Sequence, residues 1–292
     1  MAESATGVAG AHGPHSPTVR RRELGTRLRA LRTGADLTVE QVAEQLLCSP
    51  SKISRLETGQ RGAGPRDIRD LCDLYGVQGS EREYLGALAR EGGRRAWWQP
   101  YDLPYATYVG LEAEAVSIKD FEPGVFPGLL QAPGYARILH ERAMPRRSAD
   151  VIDQRIEERR TRQEILFRDE PPQLTAIIDE SVLHRVVGGA EVMREQLERV
   201  IQASRRPHIT VQVLPFSAGA HPALDSTFVV LEFAPPVAGV VYAEGLVGNI
   251  YRERPEDVQR YKDIFEYLSD TSLSPRDSAE LMTKMSALYE SG

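Results

Sequence analysis

The chain has 292 residues, 41% hydrophobic and 27% charged, which is enough apolar matter for packed cores and too much for a disordered chain, and its length suits two domains. A net charge of −6 excludes a uniformly basic nucleic-acid coat. The longest apolar stretch, VAGVVYA at 237–243, is far short of the ~20 residues that cross a bilayer, and the amino terminus lacks the apolar block of an export signal, so no membrane association is expected.

Residues 1–16 are small, polar and without an apolar period, and are expected to be a disordered tail. Helical punctuation follows. Leu24, Leu28 and Leu31 fall at i, i+4 and i+7 on a first helix closed by Gly34, with Arg20, Arg21, Arg22, Arg27 and Arg29 on its other faces. Thr38 and Gln41 form a capping box that starts a second helix ending near Leu47. Ser49 followed by Pro50 opens a third helix that stops before Gly59. Pro65 opens a fourth, and Ser80 with Glu83 reads as a capping box for a fifth that reaches about Arg90.

Residues 92–106 combine glycines, prolines and four aromatics and read as a packed connector. Beyond it, helical periods at about 107–120, 131–143, 149–168, 190–203, 255–269 and 275–290 mix with β-branched runs at 173–179, 208–214, 226–233 and 238–244, an α+β pattern. The alternating signs of 149–168, with Glu158 and Arg162 at i, i+4, predict a solvated helix surface. Cys48 and Cys72 are the only cysteines, too few for a disulfide scaffold or a four-cysteine zinc site, and they suit a reducing cytoplasm. No metal and no cofactor is expected.

Residues 17–61 hold nine Arg or Lys against five Asp or Glu, so the amino-terminal end carries +4 and the remainder −10. At 100° per residue, Ser51, Lys52, Ser54 and Arg55 share one polar arc of the third helix while Ile53 and Leu56 point the other way. An amphipathic helix carrying short hydroxyls, an arginine and a lysine, closely preceded by another helix, fits the major groove of DNA, although a surface-exposed helix pair has the same arc.

The run LTVEQVAEQLLCSPSKISRLETG at 37–59 resembles the helix-turn-helix of phage-repressor-like, or Xre-type, transcriptional regulators. The resemblance implies an all-α five-helix DNA-binding domain and places DNA contacts at Thr38, Gln41, Ser49, Pro50, Ser51, Lys52, Ser54 and Arg55. Arg55 suits bidentate reading of guanine and Lys52 suits phosphate. The resemblance also implies a structural ion pair between Arg32 and Glu57. Two positions depart from the family pattern. Val39 stands where Gln is usual, which removes a phosphate contact, and Leu47 stands where Gly is usual, which demands a strained left-handed residue or a different turn.

Four further segments, FPGLLQAPGYARIL (126–139), RQEIL (162–166), IIDESVLHR (177–185) and VQVLPFSAGAHPALDSTFVVLEF (211–233), together resemble the carboxy-terminal domain of actinobacterial WhiJ-like regulators. That resemblance implies control of development or antibiotic-production genes, with a small BldB-like protein partner, and describes some members as antitoxin-like. His221 and Asp225 lie in a Gly/Pro-containing turn after a strand and are the candidate effector or partner site, and Asp179 and Glu180 follow another strand. No hydrolase elbow, P-loop, zincin or dinucleotide motif occurs in the sequence, so no enzymatic activity is expected.

The expected organisation is a tail at 1–16, a helix-turn-helix domain at 17–95, a linker at 96–106 and an α+β regulatory domain at 107–292. The function expected is a cytoplasmic, nucleoid-associated regulator, a repressor more than an activator, binding a palindromic double-stranded operator as a homodimer, with a small-molecule effector or the protein partner on its second domain. The rival reading is an antitoxin-like protein that sequesters a partner.

Overall fold

The computed structural model describes residues 16–143, 146–235, 237–245 and 248–290. It divides into two compact units, Met1–Trp97 and Trp98–Gly292. Of the expected tail, residues 1–15 lie outside the described residues. Ser16 lies inside them: its hydroxyl accepts from the Thr18 amide at 3.3 Å and caps helix α1 (Pro17–Gly34), where Pro17 needs no amide partner.

The first unit continues with α2 (Val39–Gln45), α3 (Pro50–Glu57), α4 (Pro65–Tyr75) and α5 (Gly79–Gly92). The reciprocal bonds of the capping box start α2: Thr38 Oγ1 accepts from Gln41 N at 3.2 Å, and Gln41 Oε1 accepts from Thr38 N at 2.8 Å. The box expected at Ser80 and Glu83 does not start α5, which begins one residue earlier at Gly79 behind Gln78 with no side-chain cap. Leu24, Leu28, Val42, Ile53, Leu56, Leu71, Cys72 and Leu85 meet in one core. Helix α1 crosses α3 so closely that a Cβ on Gly25 would lie 2.5 Å from the Glu57 carbonyl oxygen, so only glycine fits there. Several arginines of α1 fasten it to α5 and are not free charge. Arg20 pairs with Glu91 at 3.2 Å, Arg27 with Glu81 at 3.2 Å, and Arg21 Nε donates to the Gly92 carbonyl at 2.5 Å.

In the second unit, helix α6 (Ala106–Glu112) leads into a six-stranded mixed sheet of β1 (Ser117–Glu122), β2 (Gln173–Asp179), β3 (Ile209–Leu214), β4 (Phe228–Glu232), β5 (Val240–Gly245) and β6 (Gly248–Arg252), in the order β3-β2-β1-β4-β5-β6. The β1, β2 and β3 strands are parallel, joined by α7 (Pro133–Ala143) and α8 (Ala149–Gln163), then by α9 (Glu180–His184) and α10 (Ala190–Ala203). Strand β4 returns on the other side of β1 and opens the antiparallel half. Helices α11 (Pro255–Thr271) and α12 (Pro275–Leu288) complete the chain's elements.

The helix expected over 107–120 is wrong in its second half. The chain leaves α6 after Glu112 and enters β1, where Ser117–Glu122 pair with Gln173–Ile178. Tertiary pairing overrides the local helical signal there. Successive β1 side chains take opposite faces. Phe121 joins Ile177, Phe228, Val230, Val241, Phe265 and Leu268 in the core under α11, which leaves Asp120 and Glu122 on the other face.

Candidate nucleic-acid interface and a buried charge cluster

The turn between α2 and α3 is built by three residues. Leu46 ends α2, Leu47 adopts φ +50, and the amides of Leu47 and Cys48 return to the Glu44 and Ala43 carbonyls at 3.2 and 2.9 Å. This is a Schellman closure with leucine in the left-handed position that glycine normally takes. The Leu47 side chain is 95% exposed, so nothing in the described residues compensates the strain by packing.

The turn aims α3. Ser49 caps it, its hydroxyl accepting from Lys52 N at 3.2 Å, and Ile53 and Leu56 are buried. Ser49, Pro50, Ser51, Ser54 and Arg55 are exposed, as are Thr38 and Gln41 at the start of α2. Thr38 and Gln41 spend one hydrogen bond each on capping and still face solvent. Arg55 Nε donates to the Ser51 carbonyl at 3.2 Å, which lays the side chain back along the helix, and among the described residues its guanidinium meets no carboxylate. Lys52 differs. Its ammonium donates to Asp67 Oδ1 at 2.5 Å, so the cation expected at the phosphate backbone is already paired.

Arg32 and Glu57 hold the frame behind α3. Arg32 Nε and Nη2 donate to the two Glu57 oxygens at 2.6 and 3.0 Å, and Nη1 reaches the Leu37 carbonyl at 2.7 Å. Only 11% and 6% of the two side chains is exposed. The bond and charge of Glu57 raise the Arg32 pKa, against the opposing effect of burial.

A second cluster lies in the other unit, where the sequence predicted a solvated helix. Glu158 and Arg162 of α8 are buried instead. Arg162 Nε and Nη2 each lie 2.8 Å from a Glu112 oxygen, its third nitrogen lies 3.7 Å from Glu158 Oε1, and its guanidinium faces the Tyr105 and Tyr108 rings. The Tyr105 hydroxyl donates to Glu158 Oε2 at 3.1 Å, and Tyr108 stacks on Tyr242 of β5 at 4.2 Å. Asp120 of β1 is 4% exposed, and its Oδ1 has no hydrogen-bond partner among the described residues. Burial first, then the Glu112 charge, push its carboxyl up to about 7. With its donors committed, Arg162 fastens α6 to α8.

Against families of known proteins, residues 23–85 match a helix-turn-helix domain and residues 105–284 match a domain of unknown function, DUF5753. The latter covers more than half of the chain. The chain belongs to the DUF5753 family. No curated protein and no solved structure matches it. Among the described residues, no helix is long and apolar enough to cross a membrane, and no group of three His, Cys, Asp or Glu could hold a metal ion.

The DUF5753 domain does not join the two residues singled out in the 219–227 turn by any bond. His221 packs edge-on against Phe121 at 5.8 Å and its Nδ1 is buried with no partner among the described residues, whereas Asp225 is exposed and accepts from Ser226 Oγ at 3.2 Å. Asp179 caps α9 by accepting from Ser181 N at 2.8 Å, and Glu180 accepts from Phe216 N at 2.8 Å. The segment 126–132 is instead tied down by several side-chain amides. Gln131 donates to Phe126 O at 2.6 Å, Gln163 to Gly128 O at 3.1 Å and Gln131 O at 2.9 Å, and Gln196 to Leu130 O at 3.0 Å. Sequence reasoning missed Glu112, Asp120 and the burial of Arg162. The available signal was weak: Pro123-Gly124 marks an element's end, but Ile118 and Phe121 fall on opposite faces of a strand, so S-I-K-D-F-E carries no period-2 pattern that would have put Asp120 inside.

Proposed function

We propose that the chain is a sequence-specific DNA-binding transcriptional repressor that reads its operator through α3. The supporting observation is the exposed arc of Ser51, Ser54 and Arg55 on the second helix of a helix-turn-helix domain, with Ile53 and Leu56 anchoring the opposite side. Arg55 reads a base edge, Ser49, Pro50, Ser51 and Ser54 line the groove, and Thr38 and Gln41 meet the backbone from the start of α2. One such helix covers too few base pairs for genomic specificity, so two copies bind a palindrome as a homodimer. The resemblance of segments 126–139, 162–166, 177–185 and 211–233 to WhiJ-like regulators supports a regulatory role for the DUF5753 domain, with a BldB-like protein or small effector as its partner and development or antibiotic-production genes as its targets. His221 and Asp225 are the proposed partner-facing residues.

Selection of genomic fragments by the purified full chain tests this reading. The expected result is enrichment of one inverted repeat with half-sites about one helical turn apart. Enrichment of nothing, together with stable capture of a small acidic or basic protein, would favour the antitoxin-like alternative.

A further inference from the structure

Helix α3 has two cations, Lys52 and Arg55, and the structure treats them differently. Arg55 is exposed and unpaired with any carboxylate among the described residues. Lys52 is turned against α4: its ammonium lies 2.5 Å from Asp67 Oδ1, with 27% and 19% of the two side chains exposed. Asp67 is itself fixed. It stands in the first turn of α4, and its other oxygen accepts from Gly64 N at 3.0 Å, so the carboxylate joins a helix cap to the recognition helix. Burial would raise its pKa, but the bonds from Lys52 and Gly64 and the charges of Lys52 and Arg61 hold it below the usual carboxylate range, so it stays ionised at neutral pH.

A lysine on phosphate strengthens binding to every sequence alike, whereas an arginine on a base edge strengthens one. Such a sequence-blind cation on the reading helix raises affinity for competing genomic sites, on the order of 10⁶–10⁹ in number, as much as for the operator, so it adds salt-dependent affinity without adding discrimination. We propose that Asp67 is a positioning residue that limits the sequence-independent part of the affinity: it keeps the Lys52 ammonium off the DNA backbone, so that α3 meets the duplex with Arg55 as its available cation. This inference rests on the DNA-binding reading above.

Fluorescence anisotropy of the full chain on its selected operator and on a scrambled duplex, over a series of salt concentrations, tests it with three variants. Asp67→Asn keeps an oxygen toward the Gly64 amide while releasing Lys52. It is expected to tighten operator and scrambled duplex alike and to steepen both plots of log affinity against log salt by about 0.9 per protomer, leaving the operator preference unchanged. Asp73→Asn removes the same charge from a partner of Arg82 elsewhere on α4 and is expected to shift the slope by less than half as much. The double variant Lys52→Met with Asp67→Asn preserves net charge and is expected to reproduce the wild-type slope. A double variant whose slope is flatter than wild type by about 0.9 shows Lys52 on phosphate and overturns the proposal, as does equality of the Asp67→Asn and Asp73→Asn slopes. Thermal melts confirm that the variants fold. Should Asp67→Asn melt early, Asp67→Ser, which also keeps a capping oxygen, takes its place. A wild-type chain that binds neither duplex overturns the DNA-binding reading along with this one, whereas wild-type binding with a flattened double variant overturns this one alone.

Discussion

Glu57 accepts two of the hydrogen bonds that Arg32 donates, in a pair that is mostly buried. Replacing it by alanine strands a guanidinium between α1 and α3, and breaking such a pair costs on the order of 3 kcal/mol. Urea denaturation followed by far-UV circular dichroism should show that loss in the first unit. A change below about 1 kcal/mol would mean that Arg32 finds water. Asp120 works in the opposite sense. Its folded pKa of about 7 lies above the ordinary 3.8, so between those values the folded chain holds a proton that the unfolded chain has released. The stabilisation is full below the unfolded value and is lost as pH rises through the folded one, at up to about 1.4 kcal/mol per pH unit. Asp120→Asn removes this slope, and urea midpoints between pH 5 and 7 should become flatter than wild type. An unchanged slope would place the titration elsewhere.

At the scale of elements, Leu47 is the point where sequence and conformation disagree most openly. A non-glycine residue at φ +50 carries a cost of roughly 1 kcal/mol, and a side chain 95% exposed returns nothing by burial. Leu47→Gly should therefore raise stability by about 1 kcal/mol in the same denaturation assay, and a loss of stability would show that the leucine has a packing role. This position, like the Thr38–Gln41 cap, was legible in the sequence because the determining contacts lie within a few residues. So were β2 and α10, where a β-branched run and an apolar stripe each repeat with one period. Elements decided by distant contacts were not legible. Strand β1 looks like a continuation of α6 until β2 and β4 pair with it, and α8 looks solvated because its buried face is charged. Hydrophobic periodicity records apolar burial and is silent about an Arg162 neutralised by a carboxylate fifty residues away.

For the whole molecule, the proposed palindrome requires two copies. If, as proposed, the second unit supplies assembly, the full chain should sediment as a dimer at micromolar concentration, and residues 1–97 alone should sediment as a monomer with weaker operator binding. A fully dimeric 1–97 fragment with unchanged affinity would remove that role from the DUF5753 domain. The central claim is that α3 reads sequence through Arg55. Anisotropy with Arg55→Ala on operator duplexes carrying single base-pair changes tests it most directly. The account predicts a loss of roughly 1–3 kcal/mol confined to one base pair of each half-site, with preference at that position relaxed and binding to scrambled DNA little changed. An Arg55→Ala chain that keeps both its affinity and its preferred bases would contradict it.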